Sequence, residues 1–282
     1  MVFLACLSMP STCLAKPLDI VASFTVLADV VRQVGGDRVN VRSLVPANGD
    51  VHEFEPAPDH ARALKSADLV FTSGLGLEPW FDRLARAAGV KKPPAVVSTG
   101  IVTPPGKSAD PHVWNDPRNV ITWTAAIENA LAAADPAGKD DFHARAEDFV
   151  AKLRDVDRDA HARIDPIPAE RRRILTSHDS LGYFARAYNV AVLAPIGIST
   201  DAEPSAAALA KLIDQIKREN IKVYFLENSG NARLVKTVAA ATGATPGGTL
   251  YVESLSPPDG PAATYLAMFR HNVDRLVEAM TK

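Results

Sequence analysis

The segment LDIVASFTVLADVVRQVGGDRVNVRSLV, residues 18–45, decides the fold class. Its opening, residues 18–24, is a short apolar run typical of a buried strand, and an amphipathic helical pattern follows as far as Val34. Gly35-Gly36 ends that helix, and the alternating residues 39–45 predict a second strand. A strand, a helix and another strand in close succession indicate parallel pairing with a right-handed crossover.

The same alternation continues on both sides of a long charged segment. Further strands are predicted at residues 69–73, 95–98, 173–177, 190–195, 222–226 and 248–252. The charged segment, residues 137–164, has a narrow apolar stripe and predicts one helix of roughly 28 residues, about 40 Å long. We expect it to be a rigid connector rather than a core element. The predicted fold is therefore α/β, with two lobes of parallel sheet, residues 16–135 and 166–282, joined by a connecting helix at 136–165.

Composition restricts the classes of function. The 282 residues have a net charge of −2, which argues against a nucleic-acid-binding protein. Both cysteines, Cys6 and Cys13, lie in residues 1–15, an uncharged and mostly apolar stretch that ends before Lys16. We expect residues 1–15 to be a signal peptide, so that the exported chain has no cysteine. A metal site in it would then have to use His, Asp and Glu.

Three histidines lie in short, turn-rich motifs. They are His52 in DVHEFEP (50–56), His112 in ADPHVWNDP (109–117) and His178 in LTSHDS (175–180). Each follows a predicted strand, and ligands of parallel α/β proteins gather at the carboxyl ends of strands. Three imidazoles brought together from separate loops suit a borderline divalent metal such as zinc. The sequence therefore predicts a metal site in a cleft between the lobes.

A closed tetrahedral site needs a fourth ligand. Glu253 is the first candidate because it follows the predicted strand 248–252, Glu227 is the second, and Glu203 is the third. Among the other histidines, His60 is a weaker candidate, while His143, His161 and His271 are expected to face solvent or to pack on helices. Three acids that flank the motif histidines are candidates to orient the imidazole rings: Asp110, Asp116 and Asp179.

Six segments resemble, in order, the zinc- and manganese-binding solute-binding proteins of bacterial ABC importers, the ZnuA/TroA-like group. They are VASF (21–24), VGGDRV (34–39), HEFEP (52–56), DPHVW (110–114), TSHD (176–179) and GGTLY (247–251). The resemblance implies two lobes joined by a long helix, with metal held between them by His52, His112, His178 and Glu253. The chain departs from the family in two places. The last ligand is commonly Asp, and residues 103–109 contain no His-rich loop.

We therefore expect a periplasmic protein, not an enzyme, that captures Zn²⁺ and delivers it to an ABC-type membrane permease. Three imidazoles and one carboxylate favour zinc over Mn²⁺, which prefers more oxygen ligands. Mn²⁺ is the alternative cargo because the chain lacks the His-rich loop of many zinc-binding members. A periplasmic metallochaperone is a further partner to consider, and a monomer is expected. Two rivals come from other classes. One is a zinc hydrolase with an open fourth position and Glu53 as its nearest general base, and the other is an extracellular scaffold with a structural zinc.

Overall fold

The computed structural model describes residues 16–103, 109–201, 204–230 and 232–282. The first half contains β1 (Leu18–Ala22), α1 (Thr25–Gly35), β2 (Val39–Ser43), α2 (Pro58–Ser66), β3 (Leu69–Thr72), α3 (Phe81–Ala88), β4 (Ala95–Val96) and α4 (Pro117–Ala134). After the long α5 (Lys139–Ile164) come β5 (Arg173–Leu175), α6 (Gly182–Tyr188), β6 (Ala191–Leu193), α7 (Ala206–Arg218), β7 (Val223–Glu227), α8 (Arg233–Thr242), β8 (Thr245–Leu250) and α9 (Tyr265–Thr281). The predicted signal peptide, residues 1–15, and the third carboxylate candidate, Glu203, lie outside the described residues.

The two sheets are parallel and have the same topology. The first has the order β2-β1-β3-β4, and the second has the order β6-β5-β7-β8. Every registered strand pair in both sheets is parallel. The predicted fold class, two α/β lobes with parallel sheets joined by a long helix, is confirmed. The exact lobe boundaries, 16–135, 136–165 and 166–282, stay a prediction.

The connecting helix α5 contributes to both cores. Its 26 residues span about 39 Å at 1.5 Å per residue. Residues of its apolar stripe pack in the core of the first lobe (Phe142, Ala146, Phe149, Leu153) and in that of the second (Val156, Ala160, Ile164). The expectation that this helix is not a core element is therefore wrong. A narrow apolar stripe is sufficient for packing in both lobes, because each lobe packs on only half of the length of the helix.

The lobes also meet through the segment that follows β8. Leu255 and Tyr265 from this segment belong to the core cluster of the first lobe. The Tyr265 hydroxyl donates to the backbone oxygen of Trp114 at 2.9 Å, and its backbone N–H donates to Asp29 Oδ2 at 2.8 Å. The second lobe is thus joined to the first by a buried interface as well as by α5.

Two element boundaries near the cleft differ from the sequence prediction, which is a strand at 248–252 and a helix at 261–280. Strand β8 begins at Thr245, before the predicted start at residue 248, and ends at Leu250. Helix α9 begins only at Tyr265, because the side chain of Thr264 accepts from the backbone N–H of Ala267 and fixes the start there. Glu253 consequently lies in a loop beyond β8. Among the described residues, no helix is both long and apolar enough to cross a membrane.

Candidate metal centre

The four residues predicted as ligands meet between the two sheets. His52 lies in the loop after β2, His112 in the loop after β4, His178 just beyond β5, and Glu253 beyond β8. All four are buried, with exposed fractions of 7%, 0%, 1% and 1%. One nitrogen or oxygen atom from each lies within 4.8 Å of those of the other three. The carboxyl ends of strands from both lobes therefore converge on a single cluster of three imidazoles and a carboxylate.

The oxygen Oε1 of Glu253 is surrounded by the three imidazoles. It lies 2.9 Å from His52 Nε2, 3.2 Å from His112 Nε2 and 3.0 Å from His178 Nε2. His52 Nε2 and His112 Nε2 are 3.2 Å apart. Ligand atoms bound to tetrahedral zinc at about 2.0–2.1 Å lie about 3.3 Å from one another. These four distances are close to that value, and all four atoms lie within 4.8 Å of one another.

Buried charges alter the pKa values within the cluster. Burial by itself would lower the pKa of His112 and of His178, but the neighbouring carboxylates outweigh it and raise both values. Burial opposes ionisation of Glu253, yet the histidines hold its pKa well below its ordinary range. A divalent cation at this point would replace the positive charge that protons otherwise supply. Cation binding and proton release are therefore coupled.

Carboxylates behind the cluster orient two of the rings. Asp110 Oδ1 lies 2.9 Å from His112 Nδ1 and accepts from the backbone N–H of His112 at 3.0 Å. Glu227 Oε2 lies 2.5 Å from His178 Nδ1, and its Oε1 accepts from the backbone N–H of Ser177 at 3.0 Å. A partner at Nδ1 fixes each ring with Nε2 toward the cluster. Glu227, the second candidate ligand, thus lies behind the His178 ring and outside the group of four.

A repeated Asp-x-His pattern shapes two of the motif turns. Asp50 Oδ1 accepts from the backbone N–H of His52 at 2.8 Å, as Asp110 does from His112. The second oxygen of Asp50 accepts from the Thr200 hydroxyl, across the cleft, at 2.9 Å. Asp side chains favour such turns because they bond the backbone two residues on. This spacing is the sequence signal that singles out Asp50, which was not among the predicted site residues.

The loop that carries His112 is bound to two separate loops of the second lobe. Trp114 Nε1 donates to the backbone oxygen of Val252 at 2.7 Å, next to Glu253. Asn115 Nδ2 donates to the backbone oxygen of Ser180 at 3.0 Å, in the loop of His178. These buried bonds fix three of the four cluster residues relative to one another.

The remaining sequence candidates have other partners. Asp116 caps α4 by accepting from the backbone N–H of Arg118, so the expectation that it orients a site histidine is wrong. The backbone N–H of Asp179 donates to Ile196 O at 3.2 Å. The histidines outside the cluster contact Ala57 (His60), Glu128 (His143), Asp165 (His161) and Thr249 (His271).

A buried group of three imidazoles and a carboxylate, enclosed between two parallel α/β lobes, is the arrangement of a binding protein that surrounds a small cation. A sequence model described as "ZnuA: Zinc-uptake complex component A periplasmic" matches residues 20–279. The chain belongs to this family, as its motifs predicted.

Known relatives share the fold and differ in the metal they are named for. The chain is 29% identical to "Manganese-binding lipoprotein MntA" of Halalkalibacterium halodurans, covering 94% of this chain and 89% of that one. It is 31% identical to "Iron-binding protein YfeA" of Yersinia pestis, covering 94% and 86%. The solved structure of the periplasmic zinc-binding protein TroA from Treponema pallidum has a TM-score of 0.88 at 26% identity, covering 94% and 99%. The chain is accordingly a metal-binding solute-binding protein rather than an enzyme.

Proposed function

We propose that this protein captures Zn²⁺ outside the cytoplasmic membrane and delivers it to an ABC-type permease. The observation that carries the proposal is the convergence of ligand atoms from His52, His112, His178 and Glu253. Neutral imidazole is a preferred ligand of zinc, and a closed site of four protein ligands suits retention rather than catalysis. A zinc hydrolase would keep one position open for water.

Zinc is favoured over manganese by the donor set. Three of the four converging atoms are imidazole nitrogens, and only one carboxylate oxygen, Glu253 Oε1, faces them. Manganese prefers oxygen ligands and a larger coordination number. Manganese is the second candidate cargo because relatives of comparable similarity are named for manganese and for iron as well as for zinc.

The family supports the proposed partner and location. Its description names an uptake complex and a periplasmic component, which supports a membrane permease as the partner and export of this chain. We propose residues 1–15 as the signal peptide, since that stretch is apolar and uncharged. A monomeric state and a metallochaperone partner stay predictions.

Growth under zinc limitation tests the function. Cells that lack the gene should grow poorly in chelator-treated medium and recover when zinc, but not manganese, is added. The wild-type gene should restore growth, and a variant with His52→Ala and His112→Ala should not. His143→Ala is the matched control, because His143 is an exposed histidine on α5 paired with Glu128. Recovery with manganese alone would contradict zinc as the cargo, and full rescue by the double variant would contradict the site.

A further inference from the structure

The two oxygens of Glu253 have different surroundings. Oε1 faces the three imidazoles of the cluster. Oε2 accepts a hydrogen bond from the Ser229 hydroxyl at 3.3 Å. Ser229 is 3% exposed, so water is largely kept from this hydroxyl. One oxygen is therefore offered to a cation while the other is held by the protein.

Ser229 is fixed relative to Glu253 by its neighbour in the chain. The backbone N–H of Asn228 donates to Leu250 O at 3.0 Å. The side-chain nitrogen of Asn228 donates to the backbone oxygen and to the hydroxyl of Ser254, at 3.1 and 3.0 Å. These bonds tie the loop after β7 to the segment on both sides of Glu253. The bonds of Asn228 consequently hold Ser229 and Glu253 in position relative to each other.

This arrangement bears on the number of oxygens that a cation receives. A carboxylate bound through one oxygen completes a four-coordinate site with three imidazoles, as zinc prefers. Binding through both oxygens would raise the coordination number and the oxygen count, as manganese prefers. To bind in that way Oε2 must turn toward the cluster and give up the Ser229 hydrogen bond. In a buried site the lost bond is not replaced by water, so the turn is costly.

We propose that Ser229 is a specificity-determining residue, whose hydroxyl holds Glu253 to coordination through one oxygen and so favours Zn²⁺ over Mn²⁺. The inference rests on the proposed metal site and adds a reason for its selectivity. Ser229 acts through Glu253 and touches no imidazole nitrogen of the cluster in the described contacts.

The test is the ratio of Zn²⁺ and Mn²⁺ affinities, measured by competition with a chromogenic chelator. In Ser229→Ala the preference for zinc should fall about tenfold, the value of one hydrogen bond to a charged group, mainly through tighter manganese binding. Ser229→Thr keeps a hydroxyl and should keep the wild-type ratio. Ser229→Val has the shape of threonine without the hydroxyl, so it should shift the ratio in the same direction as alanine.

Thr124→Ala is the matched control. Thr124 is also buried, and its hydroxyl donates to the backbone oxygen of Val120 within α4 at 2.8 Å. Its replacement should leave the ratio unchanged. An unchanged ratio in Ser229→Ala and Ser229→Val, with normal zinc binding by the wild type, would overturn this inference alone. A wild-type protein that binds neither metal would overturn the proposed function itself.

Discussion

Replacing Gly182 by alanine is expected to weaken metal binding without weakening the fold. Gly182 is the first residue of α6, in the second lobe, and a Cβ atom on it would lie 2.6 Å from Asp110 Oδ2 of the first lobe. Ordinary contact begins at 3.4 Å, so the carboxylate would have to move by roughly 0.8 Å. Asp110 is the residue that orients His112, at 2.9 Å from its Nδ1. The added methyl group therefore acts on the site through Asp110.

The two expected effects of Gly182→Ala have opposite signs. Losing the orienting carboxylate of a ligand histidine costs metal affinity, typically about 10–100-fold. Alanine is a better helix former than glycine, by about 0.5–1 kcal/mol in a helix interior. At the first position of α6 the gain should be at the low end of that range. Moving the carboxylate also weakens its buried bonds to His112, which offsets that gain. The free energy of unfolding of the metal-free protein should therefore change little.

Two measurements separate these effects. Competitive titration gives the zinc affinity, and urea unfolding of protein stripped of metal gives the stability. Gly197→Ala is the control, because a Cβ atom there would meet nothing within 4 Å. Wild-type zinc affinity in Gly182→Ala, or an equal loss in Gly197→Ala, would contradict this effect of the added methyl group.

Three further predictions concern the cluster itself. His112→Ala should lower zinc affinity by orders of magnitude. It should leave the circular dichroism spectrum unchanged, because the hydrophobic cores of the two lobes hold the fold. Wild-type zinc affinity in this variant would contradict the assignment of His112 as a ligand. Glu227→Gln keeps the size of the side chain but removes the negative charge behind His178, so zinc affinity should fall by about tenfold or more; an unchanged titration would show that the charge is unimportant. Because the carboxylates raise the pKa of His112 and His178 above 6.5, protons compete with the cation to higher pH than for a free imidazole. Apparent zinc affinity should therefore rise with pH through the neutral range, about tenfold per pH unit for each proton displaced, and a flat profile there would contradict the coupling.

The sequence predicts the fold well because strand and helix periodicities are local properties. The run 18–45 contains a strand, a helix and the next strand, and the structure has β1, α1 and β2 in that order. The four cluster residues were predictable because each lies beyond a strand of a parallel sheet, and parallel strands bring their carboxyl ends to one edge.

Other features depend on contacts that local patterns do not encode. The proposed role of Ser229 depends on a hydrogen bond from its hydroxyl to Glu253, which lies in a different loop. The expected effect at Gly182 depends on the Asp110 carboxylate, which belongs to the other lobe. The sequence predicts that Glu227 lies at a strand end. Its contact with His178 Nδ1, rather than with the cluster, depends on the pairing of β5 with β7. The core role of α5 was missed because its stripe is divided between two lobes.

The decisive property of the four-residue site is the coordination of bound zinc. X-ray absorption at the zinc edge of the loaded protein should give four nitrogen or oxygen neighbours at about 2.0–2.1 Å, with the outer-shell signals of three imidazoles. In Glu253→Ala a water molecule should replace the carboxylate, or zinc should be lost. Five or six neighbours, fewer than three imidazoles, or an unchanged spectrum and affinity in Glu253→Ala would contradict the four-residue zinc site.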